Sequence, residues 1–344
     1  MAAAPPAAAL PDELVQEILA RLPPDDPACL LRAFLVCKAW GCAVSLPSFR
    51  RRLHDLHRPP PLLGFLPSRA SEGTPSFIPT TASSFSLDAA DCLRWRALDY
   101  RHGRTLFLSR NQHPEEFLVW EPITGAQKHV PVPAAFDVSY GAELPDNRPT
   151  AAVLCAADGC DHRDCFGGPF RVVFVFEDDT WEDQDVKFAR VYSSETGAWG
   201  ELTSLPGESI QLTENSSVLV GSSLLYFGAS GSILEYDLTR HVVTLLSPPY
   251  NCRYPNLMLT EDGVLGVIED LDPHLRLWAR EASEGRWVLT RTIYLRNLFP
   301  PCVGLNEGFR VVVMGFIEGA NALFVASTAG FFIIELQSEQ VRKA

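Results

Sequence analysis

The chain has 344 residues, 47% of them hydrophobic and 21% charged, with a formal net charge of −13. That balance excludes a disordered chain, and it excludes a general nucleic-acid binder, because neutralising phosphates requires basic surface. No run approaches the roughly 18 apolar residues of a membrane span, and the length gives a prior of about two domains.

Residues 1–9, Met-Ala-Ala-Ala-Pro-Pro-Ala-Ala-Ala, have neither the basic region nor the leucine-rich core of a signal peptide, nor the Arg and Ser of a transit peptide. They are expected to form a disordered tail on a chain that stays in the cytosol or nucleus. Nine cysteines, an odd number spread from Cys29 to Cys302, fit reduced thiols there.

The first folded element is predicted from Leu10 to Pro23. Pro11 suits a first helical position, Asp12 and Glu13 place negative charge at a helix N-terminus, and Pro23-Pro24 ends the run. Leu14, Ile18 and Leu22 fall at i, i+4 and i+8 with Val15 and Leu19 beside them, an apolar stripe on a helix of about three turns. Asp26 as N-cap and Pro27 behind it start a second helix carrying Leu30, Leu31, Phe34 and Leu35. Val36-Cys37-Lys38-Ala39-Trp40 continues toward Val44, Leu46 and Pro47. Three short helices cannot cover this much apolar surface among themselves, so a partner is expected to cover part of it. Arg50-Arg51-Arg52, the local basic exception, is read as a solvated helix end.

Across residues 10–58 this region resembles an F-box. The resemblance rests on Leu10-Pro11-Asp12-Glu13, Ile18-Leu19, Leu22-Pro23, Leu30-Leu31-Arg32, Val36-Cys37-Lys38-Ala39-Trp40 and Pro47-Ser48-Phe49. The stretch from Leu31 to Val36 is longer than the family's usual spacing between the arginine and the Val-Cys-Lys core. The resemblance implies docking on a Skp-family adaptor and, through it, a cullin, with Leu10, Pro11, Leu14, Ile18, Leu22, Leu31, Val36 and Trp40 as contact residues. The remainder of the chain would then recruit a protein substrate for ubiquitination and proteasomal degradation.

Arg58-Pro59-Pro60-Pro61 interrupts the helical region, and helical periodicity fades after it. Short apolar runs follow, rich in β-branched and aromatic residues and bounded by turns, as in Thr105–Leu108, Phe117–Trp120, Arg171–Phe176, Ser223–Phe227, Val264–Ile268, Arg310–Met314 and Phe331–Ile334. They repeat as a unit in which an aromatic strand, a Thr-Gly or equivalent turn and a half-polar strand lead to a proline. Val119–Pro133, Val191–Pro206, Tyr236–Pro249, Leu277–Trp287 and Ile334–Glu339 carry it. Intervals of roughly 40 to 70 residues suit four-stranded propeller blades. Residues 62–344 are thus expected to form five blades, with room for a sixth, and resemble the kelch-like F-box-associated domains of plant, particularly grass, proteins. The fold class is α+β multidomain: a small helical F-box followed by an all-β, kelch-like propeller, with a β-sandwich pair as the alternative. The last blade reads as one strand short, to be completed by Leu62–Leu66 or Phe77-Ile78, with an open or irregular propeller as the alternative.

Candidate chemistry is sparse. Cys155, Cys160, His162 and Cys165 place three thiols and an imidazole in one segment, in principle a tetrahedral zinc set. The spacing matches no common zinc module, so the segment is read as a polar interstrand loop, and no metal or cofactor is assigned. Gly228-Ala229-Ser230-Gly231-Ser232 lacks the order of a nucleophile elbow. The segment 177–185 holds six acids in nine residues around Trp181, between two strands. It is a solvated hairpin tip or, more sharply, a recognition lip for a basic partner, with Asp178, Asp179, Trp181, Glu182 and Asp183 as substrate contacts. The expected molecule is a non-catalytic substrate receptor. An F-box scaffold that builds no ligase and a small-molecule-binding propeller are the alternatives.

Overall fold

The computed structural model describes residues 10–22, 27–57, 64–66, 77–79, 94–109, 115–122, 125–133, 149–162, 165, 167–178, 186–206, 211–213, 217–250, 252–299 and 310–343. Four short helices come first: α1 (Asp12–Ala20), α2 (Pro27–Val36), α3 (Lys38–Ser45) and α4 (Pro47–Leu56). Two expectations are corrected by the backbone. Pro11 is not the first helical residue but the N-cap, with ψ 143°, and the helix starts at Asp12. The second helical stretch is broken at Cys37, whose extended backbone (φ −162°, ψ 166°) ends α2 and caps α3, so four helices stand where three were expected. Pro23, Pro24 and Asp26 lie outside the described residues.

The helices enclose a small core of Val15, Leu19, Ala20, Ala33, Ala43 and Phe49. Gly41 permits the α2–α3 crossing, since a Cβ there would stand 3.2 Å from the Phe34 carbonyl oxygen. The α4 end is tied back to α1 by His57, whose Nε2 lies 2.6 Å from the Ala20 carbonyl, and by the Arg52–Glu17 ion pair.

Beyond the helices, β1 (Gly64–Phe65) pairs with β2 (Ile78–Pro79), and five antiparallel blades come after them in chain order. Blade 1 is β3 (Trp95–Arg101), β4 (Arg104–Ser109), β5 (Glu116–Trp120) and β6 (Gln127–Pro131). Blade 2 is β7 (Thr150–Cys155), β8 (Phe170–Asp178) and β9 (Val186–Ser193), with β10 (Ala198–Trp199) and β11 (Thr203–Pro206) sharing the edge of β9. Blade 3 is β12 (Val218–Val220), β13 (Leu224–Ala229), β14 (Ser232–Asp237) and β15 (Val242–Leu246). Blade 4 is β16 (Asn256–Leu259), β17 (Leu265–Asp270), β18 (His274–Arg280) and β19 (Trp287–Tyr294), followed by the single turn α5 (Leu295–Leu298). Blade 5 is β20 (Val311–Ile317), β21 (Ala322–Ser327), β22 (Gly330–Glu335) and β23 (Val341–Lys343). This is an all-β, five-bladed propeller. Among the described residues no helix is long and apolar enough to cross a membrane.

Blade 5 has a fourth strand of its own, so the expected shortfall is corrected, and no sixth blade is present among the described residues. β1 and β2 pair with each other, Gly64 with Pro79 and Phe65 with Ile78. They cover an open face of blade 5: Ile78 packs with Phe324 and Ile333, and the Phe65 ring stacks on Phe324 at 4.1 Å. Gly64 is required, because a Cβ would overlap the Phe77 ring.

Each blade presents two apolar faces, and stacking hides them in successive interblade cores. Between blades 1 and 2, Phe117 meets Phe174 edge-on at 4.9 Å. Burying a ring of that kind contributes about 1.5–3 kcal/mol. The repeat seen in sequence is a recurrent turn after each blade's third strand. The N–H of Gly125, Gly197, His241 and Gly285 donates to the carbonyl four residues earlier, at 2.8–2.9 Å. All four, and Glu339 in blade 5, have positive φ. Tryptophans just after two of these turns reach the preceding blade: Trp199 Nε1 donates to Pro131 O and Trp287 Nε1 to Ser247 O.

The first strands converge on a buried arginine. Arg101 on β3 donates to Ser217 O at 2.8 Å beside β12, pairs with Asp99 at 3.4 Å and reaches Glu318 at 3.9 Å after β20. One side chain thus ties blades 1, 3 and 5, while Asp99 accepts the Val153 N–H of blade 2 at 2.9 Å.

Candidate docking surface of the helical domain

α1 is apolar over too wide an arc for its neighbours to cover. Packing against α3 and α4 hides Val15, Leu19 and Ala20, and the adjoining stripe faces out: Leu14 is 50% and Ile18 49% exposed, with Leu10 and Pro11 exposed ahead of them. The end of α2 does the same. Phe34 and Val36 are exposed, and Leu35 is 79% exposed. Six large apolar side chains on one domain of four short helices form a patch of the kind that marks an interaction site.

Ile18, Leu19, Leu22, Ala33, Val36 and Trp40 line a groove of about 270 Å³ between α1, α2 and α3. Of the residues expected to meet an adaptor, Ile18, Leu22, Val36 and Trp40 come together in this groove; Leu14, one turn before Ile18 on α1, and Leu10 and Pro11 ahead of the helix are exposed but do not line it. Leu31 lies on α2, but its side chain lies outside the described residues. Sequence reasoning missed Phe34 and Leu35 as surface residues. The signal for them was that Arg32 is the one charged residue of α2, which leaves more apolar surface than a helix in so small a domain can bury. Arg50, Arg51 and Arg52 lie in the middle of α4 rather than at a helix end: Arg51 and Arg52 are exposed, Arg52 pairing with Glu17, and Arg50 is half-buried with its guanidinium on the Ser45 carbonyl.

Asp178 ends β8 and pairs in register with Val186 on β9. The side chain of Asp178 and the whole of Asp179–Asp185, with Trp181, Glu182 and Asp183, lie outside the described residues. One group among the described residues could hold a metal: Cys155, Cys160, His162 and Cys165, on the β7–β8 connection.

Residues 7–55 match the model of the F-box-like family. A search of curated proteins finds no match. Among solved structures, the chain is similar to virginiamycin B lyase from Staphylococcus aureus, at 13% identity, covering 72% of this chain and 67% of that one with a TM-score of 0.38. It is also similar to a protein of unknown function from Bacteroides caccae, at 9% identity, covering 72% and 80% with a TM-score of 0.39. The N-terminal helices are therefore an F-box-like domain, and it is joined to a five-bladed propeller.

Proposed function

We propose that the chain is the substrate-recognition subunit of a Skp, cullin and F-box type E3 ubiquitin ligase, working in the cytosol or nucleus. The observation that carries this reading is the outward apolar stripe of α1 with the exposed end of α2, on a domain matched by the F-box-like model. Leu10, Pro11, Leu14, Ile18, Leu22, Leu31, Val36 and Trp40 would meet a Skp-type adaptor, which in turn holds the cullin. The helical domain has its own core, so docking need not disturb it.

The propeller, of the kelch-like F-box-associated kind, would hold the substrate, with the acidic segment 177–185 as one lip of its recognition surface. The chain itself would make and break no bonds. Its contribution to rate is tethering, which raises the effective concentration of target lysines near the charged ubiquitin carrier. The second reading, an F-box scaffold without a ligase, has the same docking surface but brings no cullin to the adaptor. Cullin co-purifying with the tagged full chain supports the ligase; a Skp-type adaptor recovered without cullin supports the scaffold.

A further inference from the structure

Between β7 and β8 the chain leaves blade 2 in a loop that gathers four ligand-type side chains. The thiols of Cys155, Cys160 and Cys165 and a ring nitrogen of His162 lie within 4.8 Å of one another. Cys160 Sγ stands 3.5 Å from Cys165 Sγ, and Cys165 Sγ 3.6 Å from His162 Nδ1. A tetrahedral zinc ion with Zn–S near 2.3 Å and Zn–N near 2.0–2.1 Å sets its ligands about 3.8 Å (S to S) and about 3.6 Å (S to N) apart. Two edges of the cluster are already near those lengths. The widest separation has to shorten by no more than roughly 1 Å.

The surroundings hold this arrangement in place. His162 has φ +59° and Gly159 φ +65°, left-handed positions that fold the loop back on itself. The His162 backbone N–H donates to Cys160 Sγ at 3.4 Å, an outer bond of the kind that orients a ligand sulfur. His102 stacks flat on the His162 ring at 3.9 Å and 13°, and its Nδ1 accepts the Cys155 N–H at 3.2 Å. The loop's far end is bolted to blade 1. Arg104 donates to Cys165 O at 2.6 Å and Gly168 O at 2.8 Å and pairs with Glu121 at 3.0 Å, while Glu121 accepts the Gly167 N–H.

We propose that Cys155, Cys160, His162 and Cys165 form a structural zinc site that cross-links the β7–β8 loop of blade 2, in the shape that Arg104 and His102 hold against blade 1. Four protein ligands complete the tetrahedron and leave no position for water, which distinguishes a structural site from a catalytic one. Binding replaces three S–H protons, released to solvent, with three Zn–S bonds, and adds one Zn–N bond; no electron is transferred. A Cys160–Cys165 disulfide is the competing chemistry, but it would leave Cys155 and His162 gathered at the same point for no purpose.

The test uses the full chain purified under reducing conditions without added chelator. Metal analysis is expected to find one zinc per chain, released stoichiometrically when a mercurial reagent titrates the thiols. Exchange with cobalt(II) should give the intense ligand-field bands of a tetrahedral sulfur-rich site and a sulfur-to-cobalt charge-transfer band. Cys160→Ser and Cys165→Ser should each lose zinc and the cobalt spectrum, whereas Cys42→Ser, at an exposed thiol of the helical domain, should keep both. If the loop variants fail to fold, the cobalt spectrum and mercurial titration of the unaltered chain still decide. Reduced protein that holds no zinc and develops no cobalt spectrum overturns the proposal, as does a Cys160–Cys165 disulfide found by mass spectrometry in protein from a reducing extract.

Discussion

Glu121→Ala removes the carboxylate that faces the most deeply buried charged side chain among the described residues of the propeller. Arg104 is 1% exposed and its ion pair with Glu121 spans 3.0 Å, so the variant leaves a guanidinium out of water without its counter-charge. Stripping one member from a buried pair costs about 3–5 kcal/mol. The lower end applies, about 3 kcal/mol, because Arg104 still donates to the Cys165 and Gly168 carbonyls, each such charge-assisted bond contributing about 1.5–3 kcal/mol. For a domain of this size about 1 kcal/mol shifts Tm by roughly 2–4 °C, giving a drop of roughly 6–12 °C. Thermal unfolding of the full chain followed by circular dichroism and calorimetry measures it. Arg104→Met/Glu121→Leu should recover part of the loss, since replacing both charges of a buried pair by apolar groups is often neutral. A Tm for Glu121→Ala within about 1 °C of the parent would place the pair with ordinary surface ion pairs, worth about 0–1 kcal/mol, and refute the argument.

Three further outcomes are expected. Gly197→Ala meets open space but φ +67°, so backbone strain alone should lower stability by about 1 kcal/mol, with Gly197→Asn closer to neutral in the same melts. Burial raises the Asp99 pKa above its ordinary 3.8, outweighing the lowering by Arg101, so its contribution to stability is complete below pH 3.8 and fades as pH rises through the folded-state value. The Tm of Asp99→Asn relative to the parent should therefore rise from acid toward neutral pH, and a difference that falls over that range would contradict it. Replacing Asp178, Asp179, Glu182 and Asp183 by Ser should weaken capture of basic partners and flatten its salt dependence with little change in Tm; unchanged capture would leave the segment a solvated tip.

Much of the fold is legible in the chain because most strands announce themselves by buried apolar runs. β4 and β8 are examples, expected at Thr105–Leu108 and Arg171–Phe176 and found at Arg104–Ser109 and Phe170–Asp178. β23 does not announce itself: Val341-Arg342-Lys343 is a short polar edge strand, and missing it made blade 5 look incomplete. The recurrent turn is marked by a glycine at Gly125, Gly197 and Gly285, whereas at His241 and Glu339 other residues hold the left-handed position and the repeat is legible only from the strand before it. Arg104, the first residue of β4, and Glu121, just after β5, are brought side by side by the pairing of Thr105 with Trp120, and no motif in the chain marks the pair. On α1, periodicity marks Leu14, Val15, Ile18 and Leu19 as one broad stripe. Only the packing of α3 and α4 decides that Val15 and Leu19 go inside while Leu14 and Ile18 stay out. The break at Cys37 had no Gly or Pro to signal it, and the convergence of Cys155, Cys160, His162 and Cys165 depends on backbone turns that their irregular spacing conceals.

The central claim, that the outward stripe of the F-box-like domain docks an adaptor, is tested most directly by the affinity of the purified full chain for a Skp-type adaptor, with and without Leu14→Asp and Ile18→Asp. Each side chain is already half exposed, so burying the remainder on a partner contributes about 1 kcal/mol apiece. A carboxylate carried into an apolar contact without a partner costs more again, and the sum corresponds to at least about a hundredfold in Kd. The account predicts tight binding by the parent, a loss of that size in the double variant and an unchanged propeller melt. Adaptor affinity unaltered by the two charges would contradict it.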